Sequence, residues 1–382
     1  MAEKKYSLPT RIVDKFLDGN LSVILIILSL IAGIAALVLT PREEEPQIKV
    51  PLADIYVHMP GASAEEVERQ VSARLEKLLW QVEGVEYVYS MSRADLAVVS
   101  ARFYVGEDRI ESLVKLHDKL QTNLDLIPPG VSGWVIKPIS VNDVPIVNLT
   151  LYSPEASDYR LRRVAEEVVD RLQSVKNTSE TKVIGGRPRQ VRVDFDAQAL
   201  AARGLDIMAV QRSLKGANLE LPAGAFQQGN RDVLVRGGNF LRSAEEVEDL
   251  VVGVASGRPI YLRDVARVTD GPAEPETYTR LRFGPAAEVP EDSVGAAFQA
   301  VNIAVAKKEG TNAVNVAEEV ITAVREMEGS IIPADIQVRV TRDYGETANH
   351  KVNELITHLV IAVVTVLALI YFALGWREAL IV

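Results

Sequence analysis

The side chains that could transfer protons or bind a metal near neutral pH are few and scattered. His58, His117, His350 and His358 occur singly, and none belongs to an HExxH pair. No GxSxG turn presents a nucleophilic serine. The acid pairs Glu65-Glu66, Glu166-Glu167 and Glu318-Glu319 are adjacent, so on a helix their members do not share one face as i and i+4 residues would. Cysteine is absent, which removes both a disulfide framework and a thiolate metal site. Met59, Met91, Met208 and Met327 lie in different predicted elements without a paired spacing, against a soft-metal thioether site. Gly185-Gly186-Arg187 opens like a phosphate loop, but Pro188 follows and no Lys-Ser/Thr helix start does. A tight turn between strands accounts for it better. The chain is expected to be no enzyme and to need no cofactor and no metal.

Two apolar stretches frame a charged body instead. Residues 21–39 (LSVILIILSLIAGIAALVL) and 355–376 (LITHLVIAVVTVLALIYFALGW) are each long enough to cross a bilayer core as a helix. Lys4, Lys5, Arg11 and Lys15 precede the first run and Glu43, Glu44 and Glu45 follow it, which predicts a cytoplasmic N-terminus and an exported middle region. Arg377 marks the return to the cytoplasmic side. A cleaved signal peptide is the alternative for the first run, but its length and the lack of a small-x-small site in LVLTPREEE favour a retained helix. His358, the one ionisable group in either run, is expected near the outer membrane-water interface, since no acid lies in its run.

The chain has 382 residues, 48% hydrophobic and 25% charged, enough for a sizeable core in more than one domain. A net charge of -10 without a basic run argues against nucleic acid and against tight docking of the body on anionic lipid. The glycosylation triplets at Asn148 and Asn177 carry no weight, because such triplets arise by chance.

Periodicity gives an α+β body. Strand-like residues 48–58 lead to the turn PGAS, where Ser63 and Glu66 have capping-box spacing. Val67, Val71, Leu75 and Leu78 then recur at helical spacing. Strands at 85–91 and 96–105 follow, then a helix from Asp108 with Ile110, Val114, Leu116 and Leu120 apolar, and a strand at 131–137. This βαββαβ order is that of a ferredoxin-like unit. A second unit starts with a strand at 145–152, a helix at 159–175 and strands at 182–184 and 190–195. After Asp196 an insertion intervenes, with short helices at 197–202 and 207–215 and strands at 233–236, 250–254 and 260–262. The second unit resumes with a strand at 297–306, a helix at 312–327 and a strand at 336–341, while proline and acids place 285–293 in a loop at a hairpin tip.

In this order the motifs TPREEEPQI, PGAS before EEVE, EGVEYVYSMS, PIYLRDVARV, GTNAVNVAEEV and FALGWREALI resemble the resistance-nodulation-division efflux permeases of bacterial inner membranes, hydrophobe/amphiphile type. The resemblance covers nearly the whole chain and implies its organisation. The expected parts are a cytoplasmic N-terminus (1–20), transmembrane helix 1 (21–39), a first porter subdomain (40–138), and a second porter subdomain in two parts (139–195 and 274–342). An α+β docking subdomain (196–273) is inserted between those parts, and a connector (343–354), transmembrane helix 2 (355–376) and a cytoplasmic end (377–382) complete the chain. Implied partners are the remainder of the permease, two further copies in a homotrimer, a periplasmic adaptor, an outer-membrane channel, small amphiphilic substrates and the lipid bilayer.

The resemblance also implies a substrate path lined by Ile139, Asn142, Asp143 and Pro145 and by Val183, Ile184 and Gly185. No aromatic residue is among them, a departure from drug-exporting members, whose cleft often carries phenylalanines. Asp143 reads as a solvated loop acid. A trimer-docking arm is expected at 218–235, with Leu221, Pro222, Gly224, Phe226, Gly229 and Asn230; read without the family, the same residues form a surface hairpin turning at Gly229-Asn230. No proton relay is expected in this chain, because neither apolar run contains Asp, Glu or Lys. The reading is the N-terminal portion of a proton-driven permease, inactive alone. The alternative is a membrane-anchored periplasmic interaction or export-accessory domain without transport.

Overall fold

The computed structural model describes residues 21–43, 48, 50–140, 143–255, 257–373 and 375–376. Helix α1 (Leu21–Leu39) is apolar throughout. The body that follows is α+β, built on several small antiparallel sheets.

The first sheet contains β1 (Leu52–His58), β2 (Val85–Arg93), β3 (Leu96–Phe103) and β4 (Gly133–Ile139) in the order β2-β3-β1-β4, every pair antiparallel. Helices α2 (64–79) and α3 (Arg109–Gln121) cover one face. Both start on the predicted caps. The Ser63 hydroxyl accepts from the Glu66 N–H while the Glu66 carboxylate accepts from the Ser63 N–H at 2.8 Å, and Asp108 accepts from the Ile110 and Glu111 N–H groups. Alternation sends Ala53, Ile55 and Val57 and, from β3, Ala97, Val99, Ala101 and Phe103 under the helices.

Two helical expectations shift. A π-turn, Glu68–Ser72, inserts into α2 and advances its phase, so Leu79 is fully buried and Leu75 only partly. The same turn buries Ser72, whose hydroxyl meets that of Ser92 at 2.7 Å. On α3 the core takes Leu116 and Leu120, whereas Ile110 and Val114 point outward, 69% and 60% exposed.

The second sheet uses β5 (Val147–Ser153), β6 (Thr178–Ile184), β13 (Arg280–Arg282), β14 (Ala297–Lys307) and β15 (Gln337–Asp343). β14 pairs with β5 on one side and with β6 and β13 on the other, and β15 closes the far edge. Helices α4 (Asp158–Leu172) and α8 (Ala313–Met327) cover the face formed by Leu149, Leu151, Val301 and Ile303. The strand expected at 190–195 does not belong to this sheet. It is β7 (Arg189–Phe195), paired with β12 (Ala266–Pro272), and Val193 and Phe195 pack on a third core.

That third core collects Leu200 from α5 (Ala197–Ala202), Val210 from α6 (Ile207–Ala217) and Val247 from α7 (Ala244–Glu248). Val252 of β10 (Val251–Ala255) and Ile260 of β11 (Arg258–Tyr261) complete it with Leu262 and Val265. A hairpin of β8 (Leu219–Gln228) and β9 (Arg231–Asn239) extends from α6.

Helix α9 (Tyr344–Ala373) follows β15 with no intervening residue, so the expected connector 343–354 is almost wholly helical. Among the described residues α9 is the one helix long and apolar enough to cross a membrane by length and composition.

The chain leaves the second sheet after Ile184 through Gly185 and Gly186, at φ +87° and +67°. A Cβ on Gly186 would lie 2.7 Å from the Asp158 carbonyl oxygen and 2.8 Å from Val301 Cγ2, so both conformation and space demand glycine. Gly186→Ala is expected to cost at least about 2 kcal/mol. Thermal denaturation checks this against Gly229→Ala, where φ is +59° but nothing lies within 4 Å and a smaller loss is expected.

Candidate substrate path, docking arm and membrane junction

The expected substrate-path residues occupy two places. Ile139 ends β4 opposite Leu52, 37% exposed. Asn142 lies outside the described residues. Asp143 is turned inward on its own loop, its carboxylate accepting from the Ser140 N–H at 2.7 Å and its N–H donating to the Ser140 carbonyl at 3.0 Å. Pro145 is half-buried in the short passage from the first sheet to the second, just before Ile146, whose N–H donates to the Val305 carbonyl. Val183 packs on the second core, Ile184 opposes Asn302 and is 49% exposed, and Gly185 is buried against Thr279. The hydrogen bonds of the two groups go to different partners: Asp143 to Ser140, and the Gly185 carbonyl to Arg162 at 2.9 Å.

Ile184 shares its sheet face with a polar band. Register sets Ile184, Asn302 and Thr150 side by side, and Asn148 two residues from Thr150 on the same face. The Oδ1 atoms of Asn148 and Asn302 are buried and have no hydrogen-bond partner among the described residues. Each such buried acceptor costs stability, because its lost hydration is not replaced. Further along this face the rings of Tyr152, Phe283 and Phe298 cluster with centroids 5.5–6.0 Å apart. Sequence reading missed this group because its members come from three distant positions. The signal available was Phe283 and Phe298 flanking the loop at 285–293. Tyr152 and Phe283 are more than 90% buried, so this is a small aromatic core rather than an open pocket.

The Gly185-Gly186 turn is held by charge. Arg187 grips Asp158 bidentately, with Nη2 to Oδ1 at 2.8 Å and Nε to Oδ2 at 3.0 Å. The guanidinium hydrogen bonds hold the Asp158 carboxyl below the usual range, against an opposing effect of burial.

The expected arm is the β8–β9 hairpin. Its tip residues Gly229 and Asn230 have φ +59° and +58°, the pair of positive values that a type I′ turn requires. Gly224 (φ +135°) follows a bulge beside Pro222, and Gly238 at the base admits no Cβ, which would sit 2.1 Å from the Leu219 carbonyl oxygen. Leu221, Phe226 and Leu234 are 60%, 51% and 69% exposed. A two-stranded ribbon is marginal alone, and apolar residues spread over both strands mark a surface that gains by being covered.

A junction that sequence reading missed ties α1 to the second unit. Lys307 at the end of β14 reaches Glu43 at 2.8 Å, with side chains only 8% and 17% exposed. The Arg42 carbonyl accepts from the N–H of Ala313 in the first turn of α8 at 3.1 Å. The Arg42 guanidinium donates to Asn349 and Asn353 of α9 at 2.5 and 3.2 Å. Lower on α9, His358 lies 3.8 Å from Glu354, an acid one residue before the apolar run.

These features define an α+β protein with a four-strand pairing pattern that occurs twice, an inserted body bearing an exposed arm, and, among the described residues, one helix long and apolar enough to cross a membrane. Residues 13–382 match the model of the AcrB/AcrD/AcrF family, and the chain belongs to that family of resistance-nodulation-division efflux permeases. It is similar to the multidrug resistance protein MdtC of Yersinia pseudotuberculosis serotype O:1b (strain IP 31758), 25% identical over 354 residues, covering 92% of this chain and 33% of that protein. The same figures hold for MdtC of Yersinia pestis bv. Antiqua (strain Angola). The chain thus spans about a third of the length of the curated relatives it matches.

Two measurements test the charged contacts. Lys307→Met alone removes the Lys307 contact from the partly buried Glu43 and is expected to lower stability by about 1–3 kcal/mol. Lys307→Met with Glu43→Leu should recover much of that loss in thermal denaturation, a non-additivity that a surface pair would not show. Because the folded carboxyl of Asp158 titrates below its unfolded value, its contribution is present above about pH 4 and disappears as pH falls through the folded value. Asp158→Asn should therefore lower the melting temperature at pH 7 and flatten its fall below about pH 4.

Proposed function

We propose that this chain is the N-terminal, porter-bearing portion of a proton-driven efflux permease of small amphiphilic compounds. The observation that carries the reading is the family match over residues 13–382. The βαββαβ element order, found once in the first sheet and again around the insertion, supports it. In this reading the two sheets with their helices are ferredoxin-like porter subdomains at 40–138 and at 139–195 with 274–342. The inserted body at 196–273 is the docking subdomain. Helices α1 and α9 both cross the inner membrane and leave the body in the periplasm. Proton-relay groups belong to other parts of the permease, since neither apolar run carries Asp, Glu or Lys.

Substrate passes across the face on which Ile184 is exposed, beside the polar band of Asn302, Thr150 and Asn148. Three protomers assemble, with the arm reaching a neighbour and the outward Ile110 and Val114 of α3 adding apolar contact area. A periplasmic adaptor and an outer-membrane channel complete the export path.

Two experiments test the reading together. The chain is free of cysteine, so Phe226→Cys at the arm gives a single thiol. Benzophenone-4-maleimide on that thiol should photo-cross-link the arm to a neighbouring copy in membranes, whereas the same label on Glu107→Cys of the first unit should not. With the gene at its native locus, deletion of 219–239 should lower the inhibitory concentration of amphiphilic compounds. Unchanged susceptibility with an intact arm-dependent cross-link would leave an interaction domain without transport.

A further inference from the structure

The first unit is not filled to its rim. Between the π-turn of α2, the C-terminal end of α3 and the sheet lies a recess with an interior of about 50 Å³ within an open space of about 470 Å³. Val71, Leu75, Leu78, Leu120, Ile127 and Trp134 supply its walls. Its walls are mainly apolar. A cavity of roughly 150 Å³ takes a benzene ring; one a third of that size admits the end of an alkyl chain and no ring.

Three polar side chains reach the recess, Gln70, Arg74 and Asn123, and no acid does. The Asn123 amide is already committed, donating to the Lys119 carbonyl at 2.8 Å and to the Thr122 hydroxyl at 3.2 Å. Arg74 is different. Its neighbour Arg69 pairs with Glu65 one turn back, but Arg74 is in no ion pair among the described residues. The recess therefore joins a mainly apolar interior to Arg74, which is exposed and in no ion pair among the described residues. The π-turn Glu68–Ser72, which contains Gln70 and ends two residues before Arg74, widens α2 at this point, a feature often found beside binding sites.

We propose that this recess binds a medium-chain carboxylate, with the alkyl end between α2 and the sheet and the carboxylate on Arg74. A guanidinium pairs with a carboxylate through two parallel N–H donors, a geometry that a neutral or cationic head cannot use. The site is separate from the substrate face of the second sheet and does not depend on transport.

Trp134 in the wall provides the readout. With Trp80→Phe and Trp376→Phe it is the sole tryptophan of the full chain, which is studied in lipid nanodiscs. The probe is 12-bromododecanoate, whose bromine quenches indole emission on contact. Saturable quenching of Trp134 is expected. Arg74→Gln should weaken the apparent affinity about tenfold and Arg74→Lys should restore part of it. Arg74 is exposed, and unchanged circular dichroism would confirm that these variants fold. The cationic 12-bromododecylammonium should bind no better to the parent than to Arg74→Gln. Quenching that rises linearly without saturation, equal affinity in Arg74→Gln, or equal binding of the ammonium probe would each overturn the assignment. So would quenching by brominated-acyl phospholipid that free carboxylate does not relieve, since the occupant would then be a bilayer lipid.

Discussion

A buried lysine and a partly buried glutamate are paired just beyond the end of α1. Lys307 and Glu43 are held where water reaches neither freely, so each carries a desolvation cost that the other offsets. Their contact sets where α1 meets the body. The chain leaves α1 toward the first sheet, yet its exit is fastened to the second through Lys307, the first turn of α8 and the polar start of α9. The first unit continues from a junction that the second unit controls.

The second sheet is correspondingly the more constrained body. β14 is paired along both sides, and its inward residues Val301, Ile303 and Val305 are fully buried. The turn that leaves this sheet permits only glycine at Gly186, and the Asp158–Arg187 pair locks it to the start of α4. The arm at the other extreme is almost wholly exposed and depends on main-chain pairing and a two-residue turn. Burial is high in the second sheet and low in the arm, which leaves the arm as a surface open to a partner.

Much of this was legible in the sequence because local rules and global packing agree. The Ser63 and Asp108 caps, the first four strands and the Gly229-Asn230 turn all follow from residue type and spacing. Where the reading failed, a non-local effect decided. The strand at 190–195 alternates like any half-buried strand, and nothing within it shows that β12, some seventy to eighty residues on, takes it from the second sheet. Leu75 fits the buried face of a regular helix, and the inserted π-turn leaves it only partly buried at the edge of the core. At the candidate site, Val183, Ile184 and Gly185 were legible as a strand and its turn. The orphaned amides of Asn148 and Asn302 and the Lys307–Glu43 pair were not, because partners and their absence are set by three-dimensional neighbours.

β15 becomes α9 at Tyr344 without a loop, and Gly345 brings the helix so close to α8 that a Cβ there would lie 2.7 Å from Ala317 Cβ. Slack has been designed out of this splice. Any stroke of α9 along its axis is delivered directly to β15, and one helical step of about 1.5 Å is already near half a strand residue. The bulge between Val340 and Arg342 is then the first compliant point, where the strand can take up such a stroke before its register with β5 must break.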